Sequence, residues 1–339
     1  MSYTEKLEQE LGNYRDVPNV SELPPIFSYW SNKYLRPKLE TLGFSDPNQF
    51  YVQYISRIAA AAPESCCRIL SLGAGNCDIE VHLSELLIEK GVRNFAFDCL
   101  DVNRQMLERG AQLAGQRNLI SRFGFIESDI NSWVVEKSYN IVIANQSLHH
   151  FVELEILFEK TYESMTDEGF FLANDMIGRN GNMRWPEALE LVQAFWSLLD
   201  NKHKWNHQLH RIEPIYENWD CSISGFEGIR AQEILPLLLK TFQFHCFIGF
   251  GNLINVFVDR GFGYNFDVSD PRDCYFIDFV AGLDDYFIEM GKIKPTQMIA
   301  AMTKAETSRV KVYKNLTPEF CVRDPNFQYG VMHCATNTS

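Results

Sequence analysis

Short apolar runs alternate with longer, helix-like stretches from residue 68 onward. The first five runs cover residues 68–72, 94–100, 123–127, 139–144 and 169–173. Runs of this length, separated by helical segments, are typical of a parallel sheet with helices on both faces. The pattern therefore predicts a doubly wound α/β sheet.

The rest of the chain predicts elements that flank this sheet. Residues 24–42 carry aromatic residues and leucines at helical spacing, and residues 185–199, 229–240 and 275–290 also suit helices. Residues 242–250 and 297–304 predict a sixth and a seventh strand. We therefore divide the chain into five segments. They are an N-terminal helical lid (residues 1–62), a first core segment (63–178), a cap insertion with its helix (179–241), the remainder of the core sheet (242–305) and a C-terminal tail (306–339).

Composition and charge narrow the class of function. The chain has 339 residues, of which 46% are hydrophobic, and a formal net charge of -13 without any run of Lys or Arg. Because binding to nucleic acid requires a positive surface for the phosphates, nucleic acid is not expected as a partner. Polar residues interrupt the most apolar region, residues 234–258, so no membrane segment is expected either.

The cysteines and the first residues bear on location and assembly. Nine cysteines are an odd number, and Cys66 and Cys67 are the only close pair, so neither a disulfide framework nor a Cys-x-x-Cys metal site is indicated. Residues 1–10 are polar and charged rather than apolar. We expect a cytoplasmic protein, and the sequence is compatible with a monomer or a homodimer.

A glycine turn follows the first predicted strand. In the stretch Leu72-Gly73-Ala74-Gly75-Asn76-Cys77-Asp78, the two glycines allow a ligand to approach the backbone at the N-terminal end of the next helix. A nicotinamide dinucleotide turn would have a third glycine at position 78, and a carboxylate there would repel a pyrophosphate. The turn therefore favours a ligand without phosphate.

Carboxylates follow the next two strands. Asp101 ends the second run and is followed by Val102 and, further on, Met106; a carboxylate at a strand end can accept hydrogen bonds from both hydroxyls of a ribose. Asp129 and Ile130 follow the third run, where a short polar side chain can meet the exocyclic amine of adenine. The spacing predicts an adenosine site along the strand ends.

This ordered set resembles that of the class I S-adenosylmethionine-dependent methyltransferases, over roughly residues 65–304. The resemblance implies a Rossmann-like doubly wound sheet of seven strands, with an antiparallel last strand, an N-terminal helical lid, and a cap insertion between strands 5 and 6. It makes residues 63–178 a cofactor-binding core and S-adenosylmethionine the cofactor. The expected contacts are Gly73, Ala74, Gly75, Asp101, Val102, Met106, Asp129, Ile130 and Asn145.

Two positions depart from the family pattern. Ser71 or Leu70 stands where the family often has an acidic residue, and Cys77 stands where it has a third small residue. These departures weaken the contacts that the resemblance implies for the amino acid end of the cofactor.

The fourth strand end indicates the type of acceptor. Its sequence, Ala144 to Phe151, lacks the Asp/Asn-Pro-Pro-aromatic box with which related enzymes hold an amino nitrogen, and it contains His149 and His150. An imidazole is suited to removing a hydroxyl proton as the methyl group arrives, so we expect O-methylation of a small molecule. Consecutive residues rarely face the same way; of the two, we favour His150 as the base over His149. No metal is expected, because Asn145 replaces one of the carboxylates that metal-dependent relatives need. Asn174 and Asp175, at the fifth strand end, are therefore expected only to support the structure.

Aromatic and arginine side chains are candidates for acceptor binding, namely Tyr29, Trp30, Arg184, Trp185 and Arg230. The aromatic rings could wall an apolar pocket, and an arginine among apolar groups usually has an anionic partner, here Glu187, Glu227 or an acceptor carboxylate. Two alternatives stay open: a protein that binds S-adenosylmethionine without methyl transfer, and a nicotinamide-dependent oxidoreductase on a similar sheet.

Overall fold

A computed structural model describes residues 3–13, 22–307 and 309–327 of the chain. Among these residues, eight strands form one main sheet and two very short strands form a hairpin. The strands are β1 Cys67–Leu72, β2 Phe95–Asp101, β3 Phe123–Glu127, β4 Tyr139–Asn145, β5 Met165–Met176, β6 Trp205–Asn206, β7 Arg211–Ile212, β8 Gln243–Phe250, β9 Gln297–Thr303 and β10 Lys311–Val312.

The strand order in the main sheet is β10-β8-β9-β5-β4-β1-β2-β3. Strands β1 to β5 are mutually parallel, whereas β9 runs antiparallel to both β5 and β8. The doubly wound sheet with an antiparallel strand at residues 297–303 is therefore confirmed. Because the chain crosses over between β1 and β4, the carboxyl ends of these strands form a topological switch point, where ligands bind in open α/β sheets.

The predicted number of seven strands is too low by one for the described residues. The additional strand, β10, lies in the tail and pairs in parallel with β8 through Lys311 and Val312. Two residues are too few to produce an alternation of apolar and polar side chains, so the sequence pattern could not reveal this strand.

Helices cover the sheet and its carboxyl edge. Helix α5 packs against α4 and α6, and α7 packs against α9, as the two helix layers of a doubly wound sheet require. The α-helices are α1 Tyr3–Asn13, α2 Pro25–Trp30, α3 Arg36–Thr41, α4 Pro47–Ala61, α5 Asp78–Glu89, α6 Arg104–Gln116, α7 Leu154–Ser164, α8 Pro186–Ser197, α9 Ala231–Thr241, α10 Leu253–Val258, α11 Pro271–Glu289 and α12 Pro318–Cys321. One π-helical segment, Ser31–Leu35, joins α2 to α3.

The predicted insertion between the fifth and sixth long strands is confirmed. The chain leaves the sheet after β5 and returns at β8, and α8, the β6–β7 hairpin and α9 lie between these strands. Of the predicted lid and tail, residues 1–2, 14–21, 308 and 328–339 lie outside the described residues. Within the described part of the chain, none of the helices has the length and apolar character needed to cross a membrane.

Burial in the central strands explains why the sheet was visible in the sequence. The side chains of Ile69, Val142 and Leu172, in three neighbouring strands, are fully buried. Strands buried on both faces appear in a sequence as continuous apolar runs, which end where the backbone reaches the open edge of the sheet. The polar residues after each run therefore lie together at that edge.

Candidate active site

A cavity of about 930 Å³ lies at the carboxyl ends of β1, β2 and β4. This volume is near the upper limit of the roughly 300–1,000 Å³ that is usual for small-molecule sites, so a cofactor and an acceptor can share it. One end is polar, formed by the glycine turn and by Asp101 and Asp129. The other end is mostly apolar, with Trp30, Leu39 and Phe250 in its wall.

The glycine turn after β1 is shaped for close approach of a ligand. Gly73 and Gly75 both have positive φ, 65° and 52°. A Cβ at Gly73 would lie 2.7 Å from the Cβ of Ser147, so a side chain there would force the turn away from the end of β4. Cys77 then begins α5 from the left-handed region, with φ 57°. The turn presents backbone, not side chains, to the cavity.

Asp101 at the end of β2 is fixed by backbone donors. Its Oδ2 accepts from the N–H of Gly75 at 2.8 Å, and its Oδ1 accepts from the N–H of Asn103 at 2.7 Å. Burial raises the pKa of Asp101, and these two backbone hydrogen bonds oppose the shift. The carboxylate lines the cavity, where its remaining lone pairs can accept from two hydroxyl groups.

Asp129, after β3, is covered by the first helix. Its Oδ1 accepts from the N–H of Asn131 at 2.9 Å, and its Oδ2 accepts from the hydroxyl of Tyr3 at 2.7 Å. The Tyr3 ring also packs on Phe226, with ring centroids 5.3 Å apart. Helix α1 thus bridges the polar end of the cavity and the loop that carries Phe226. The other predicted cofactor contacts, Ala74, Val102, Met106 and Ile130, line the same cavity.

Asn145 ends β4 in a network of hydrogen bonds. Its Oδ1 accepts from the hydroxyl of Tyr51 and from Nδ2 of Asn174, both at 3.1 Å. Tyr51 is fully buried on α4, and burial raises its pKa well above the ordinary value. The phenol therefore stays neutral and holds Asn145 in place at the point where the chain turns toward the histidines.

His149 is held by a buried carboxylate. Its Nδ1 lies 2.6 Å from Oδ1 of Asp175, and the two side chains are almost completely buried. Oδ2 of Asp175 accepts from the N–H groups of Ser147 and Leu148, each at 2.7 Å. With a carboxylate at Nδ1, the neutral imidazole carries its proton on Nδ1 and its basic lone pair on Nε2.

Glu227 approaches both histidines from the cap insertion. Its Oε1 is 3.6 Å from Nε2 of His149, and its Oε2 is 3.4 Å from Nε2 of His150. Nδ2 of Asn182 donates to Oε1 at 2.7 Å. Burial alone would raise the pKa of Glu227, but the two imidazoles and this amide lower it below its ordinary value. One ligand atom from each of His149, His150 and Glu227 lies within 4.8 Å of the others, a spacing that could hold a metal ion.

The structure separates the predicted acceptor-binding residues. Trp30 lines the cavity, whereas Tyr29 donates to Oδ1 of Asp278 at 3.0 Å, outside the described cavity wall. Arg230 pairs with Glu155 at 2.7 Å and with Glu233 at 2.5 Å, rather than with Glu187 or Glu227, the two protein partners expected.

The segment around Trp185 also lies outside the described lining of the cavity. The guanidinium group of Arg323 stacks on Trp185 at 4.7 Å, and Arg323 forms the ion pair with Glu187 at 2.8 Å. The backbone N–H of Arg184 donates to Oδ1 of Asn218 at 2.7 Å. These contacts connect the insertion to the C-terminal segment instead of facing the cavity.

Sequence reasoning missed the role of three acidic residues near the site. Asp175 was expected only to support the structure, Glu227 was considered only as an arginine partner, and Glu80 was not considered. Asp175 offered the one sequence signal, because it lies at the end of β5 and neighbouring strand ends meet at one edge. Glu227 reaches the site through loop packing, with the N–H of Gly181 donating to the carbonyl of Gly228 at 2.8 Å, and no local pattern reveals such packing.

The charges of the cavity suit a cationic cofactor. Carboxylates outnumber guanidinium groups among the lining residues, with Asp78 at the start of α5 and Asp101 and Asp129 at the next strand ends. Such a site repels a pyrophosphate but tolerates a sulfonium and an ammonium group. The glycine turn, where a Cβ would clash, and the ribose-accepting geometry of Asp101 fit S-adenosylmethionine.

Comparison with known proteins agrees with this description. Residues 70–171 match a family model described as a methyltransferase domain. A comparison with curated protein sequences gives no match.

Solved structures resemble the chain at low sequence identity. An O-methyltransferase from the trans-AT polyketide synthase multienzyme of Brevibacillus brevis, in complex with S-adenosyl-L-homocysteine, is 16% identical over 76% of this chain and 72% of that chain, with a TM-score of 0.43. The StiE O-methyltransferase is 12% identical over 86% of this chain and 85% of its own, with a TM-score of 0.44. The glycopeptide N-methyltransferase MtfA is 14% identical over 40% and 56%, with a TM-score of 0.30.

The family-model match covers β1 to the middle of β5 and includes the glycine turn, Asp101, Asp129 and the histidine pair. The expected cofactor is thereby confirmed. Residues 70–171 therefore form a methyltransferase domain, of the S-adenosylmethionine-dependent type that the sequence predicted.

Proposed function

We propose that the chain transfers a methyl group to a hydroxyl oxygen of a small, largely apolar acceptor, with His149 as general base and Asp175 as the residue that positions it. S-adenosylmethionine, when bound, would supply the methyl group from its sulfonium sulfur, with the S–C bond breaking and S-adenosylhomocysteine leaving as the neutral thioether. Nε2 of His149 accepts the hydroxyl proton as the acceptor oxygen forms its new bond to carbon. The buried Asp175 carboxylate then stabilises the imidazolium ion.

The contact between Nδ1 of His149 and Asp175 carries this proposal. It is 2.6 Å long and buried, and it fixes both the tautomer and the orientation of the ring. His150, which the sequence favoured, also has its Nε2 beside Glu227, but its side chain is 22% exposed, whereas that of His149 is 4% exposed. We therefore propose His149, rather than His150, as the general base. Glu227 is proposed to stabilise positive charge on either ring.

The wall of the cavity supports an acceptor with an apolar body. Trp30 packs near Phe250 with ring centroids 6.5 Å apart, and both side chains are buried and line the cavity. An aromatic wall excludes water from the reacting atoms and orients a flat or aliphatic acceptor. The histidines line the same cavity as this wall and the glycine turn, so a hydroxyl on such an acceptor can reach His149.

The test is methyl transfer to a panel of acceptors, followed by mass spectrometry of the products. The panel contains phenols, aliphatic alcohols, carboxylic acids, amines and thiols of matched size. The proposal expects products methylated on oxygen, formed by the wild type and lost in His149→Ala. Transfer only to nitrogen, sulfur or carbon would contradict it. Binding of the cofactor without turnover on any member would favour the binding protein that does not transfer methyl groups.

One alternative mechanism rests on the spacing of His149, His150 and Glu227, which could place a divalent cation beside the acceptor oxygen. Dialysis against a chelator separates the two mechanisms. The general-base proposal expects unchanged turnover after dialysis, whereas loss of turnover that manganese or zinc restores would favour the metal.

A cytoplasmic location is a separate prediction, which cell fractionation tests. Light scattering of the purified protein would measure the oligomeric state.

A further inference from the structure

A buried carboxylate lies beside the glycine turn, at the end of β1. Glu80, in the first turn of α5, is 3% exposed and lines the cavity. Its Oε1 accepts from the hydroxyl of Ser71 at 2.5 Å. Its Oε2 is buried and has no hydrogen-bond partner among the described residues. Of the two oxygens of this buried carboxylate, Oε1 thus has a hydrogen-bond partner among the described residues and Oε2 has none.

A buried carboxylate oxygen without a hydrogen bond destabilises the folded protein, and the position of Glu80 in the helix offsets only part of this cost. An acid in the first turn of a helix is favoured by the helix dipole, but this benefit does not satisfy Oε2. The nearby carboxylates of Asp78 and Asp101 add repulsion. A cationic group beside Oε2 would remove both costs, and the cavity is where such a group would come from.

The strand order indicates which part of the cofactor reaches this point. Strands β4, β1, β2 and β3 are neighbours in that order, about 4.8 Å apart. If Asp129 after β3 holds the adenine and Asp101 after β2 holds the ribose, the amino acid end lies beside β1. The methyl group then lies toward β4 and His149. The group that arrives beside Ser71 and Glu80 is therefore the methionine portion, which carries an α-ammonium group.

We propose that Glu80 binds the α-ammonium group of the cofactor through Oε2, with Ser71 positioning the carboxylate through Oε1. Glu80 then supplies, from α5, the negative charge that the family often places at the position of Ser71. The proposal rests on the cofactor assignment, and it does not depend on the acceptor or on the histidines.

Two ligands isolate the contribution of the amino acid end, and the Glu80→Gln variant then tests its positively charged group. S-adenosylhomocysteine carries the amino acid end, whereas 5′-methylthioadenosine has the same adenosine and thioether but lacks the ammonium and the carboxylate. Calorimetric titration of both ligands into the wild type, Glu80→Gln and Ser71→Ala separates a contact with the ammonium from a general effect on the site. Glu89→Gln is the matched control, because Glu89 is exposed at the last turn of the same helix and the variant loses the same charge.

Glu80→Gln, which keeps the size of the side chain, is expected to weaken S-adenosylhomocysteine about 10- to 100-fold. It should change the affinity for methylthioadenosine less than about 3-fold. Ser71→Ala should show a smaller loss for the same ligand only, and Glu89→Gln should change neither ligand. Equal losses for both ligands, or no loss for either, would overturn the role of Glu80. If the wild type binds neither ligand, the cofactor assignment itself fails, which is a different result.

A second readout uses protonation. Burial raises the pKa of Glu80 to about 7, Ser71 opposes the shift, and Asp78 and Asp101 add to it. Tyr51, on α4, and the thiols of Cys77 and Cys99 also lie near this charge. Because the ammonium binds the ionised form, affinity for S-adenosylhomocysteine should fall as the pH falls below about 7.

The ratio of the two affinities removes the contribution of Asp101, since both ligands contain the ribose. We expect this ratio to depend on pH in the wild type and to be flat in Glu80→Gln. The same pH dependence in both proteins would contradict the proposal.

Discussion

Replacement of His149 by alanine should abolish most of the methyl transfer while leaving cofactor binding intact. The imidazole faces Glu227 and the cavity through Nε2 and faces Asp175 through Nδ1, whereas the predicted cofactor contacts lie at the glycine turn and the ends of β2 and β3. A change at this position therefore removes the base without removing the adenosine site.

The magnitude follows from the role of the ring. General-base catalysis contributes about 10²–10⁴-fold in rate, or about 2.7–5.4 kcal/mol at roughly 1.36 kcal/mol per factor of ten. Asp175→Asn should cost less, about 10- to 150-fold, because it removes a charge-assisted bond worth about 1.5–3 kcal/mol but leaves the ring in place. His150→Ala should cost less than about 10-fold, because we assign it no proton transfer.

The assay is the initial rate with labelled S-adenosylmethionine and an acceptor from the panel, together with calorimetric titration of S-adenosylhomocysteine. Thermal unfolding of each variant serves as the control for stability, above all for Asp175→Asn, since Asp175 also accepts two backbone hydrogen bonds. Added imidazole should partly restore His149→Ala by entering the space that the side chain leaves. A larger loss in His150→Ala than in His149→Ala would refute the assignment of the base.

Three further predictions concern the surroundings of the base. Asp101→Ala should weaken the binding of S-adenosylhomocysteine by about 10-fold or more in calorimetric titration, since a charge-assisted bond is worth about 1.5–3 kcal/mol. Glu127, an exposed acid at the next strand end, provides the control variant Glu127→Gln. An equal loss of affinity in this control would contradict a specific role for Asp101. Glu227→Gln should move the acid limb of the pH–rate profile to lower pH, because loss of the negative charge beside both imidazoles disfavours their protonated forms. A shift of this limb to higher pH would contradict the proposed role of Glu227. Hydrogen exchange should slow in α1 when S-adenosylhomocysteine binds, because Tyr3 lies over Asp129, and should change little in α2, where Tyr29 is already bound to Asp278. Protection in α2 without protection in α1 would contradict this prediction.

The sequence predicted the parts of the fold that depend on continuous burial. Strands β1 to β5 were visible because buried apolar runs end at polar residues, and the same logic placed Gly73, Asp101 and Asp129 at one edge. The antiparallel strand β9 followed from the resemblance. Strand β10 was missed because two residues carry no periodicity.

The candidate site was less predictable where it depends on packing between distant segments. Glu227 reaches the histidines from a loop beyond β5, and Arg230 in the same loop finds its partner in Glu155 on α7. Which carboxylate an arginine or an imidazole meets is decided by tertiary packing, and local patterns do not encode it. The choice between His149 and His150 has the same origin, because only the fold brings Asp175 to Nδ1 of one ring.

Titration of the wild-type protein with S-adenosylhomocysteine and, separately, with NADH tests the central claim most directly. The glycine turn with Asp78 at its end, and Asp101 with lone pairs open to the cavity, favour an adenosine that carries no phosphate. The account predicts binding of S-adenosylhomocysteine at one site per chain and no measurable binding of NADH at the same concentrations. Binding of NADH without binding of S-adenosylhomocysteine would contradict it.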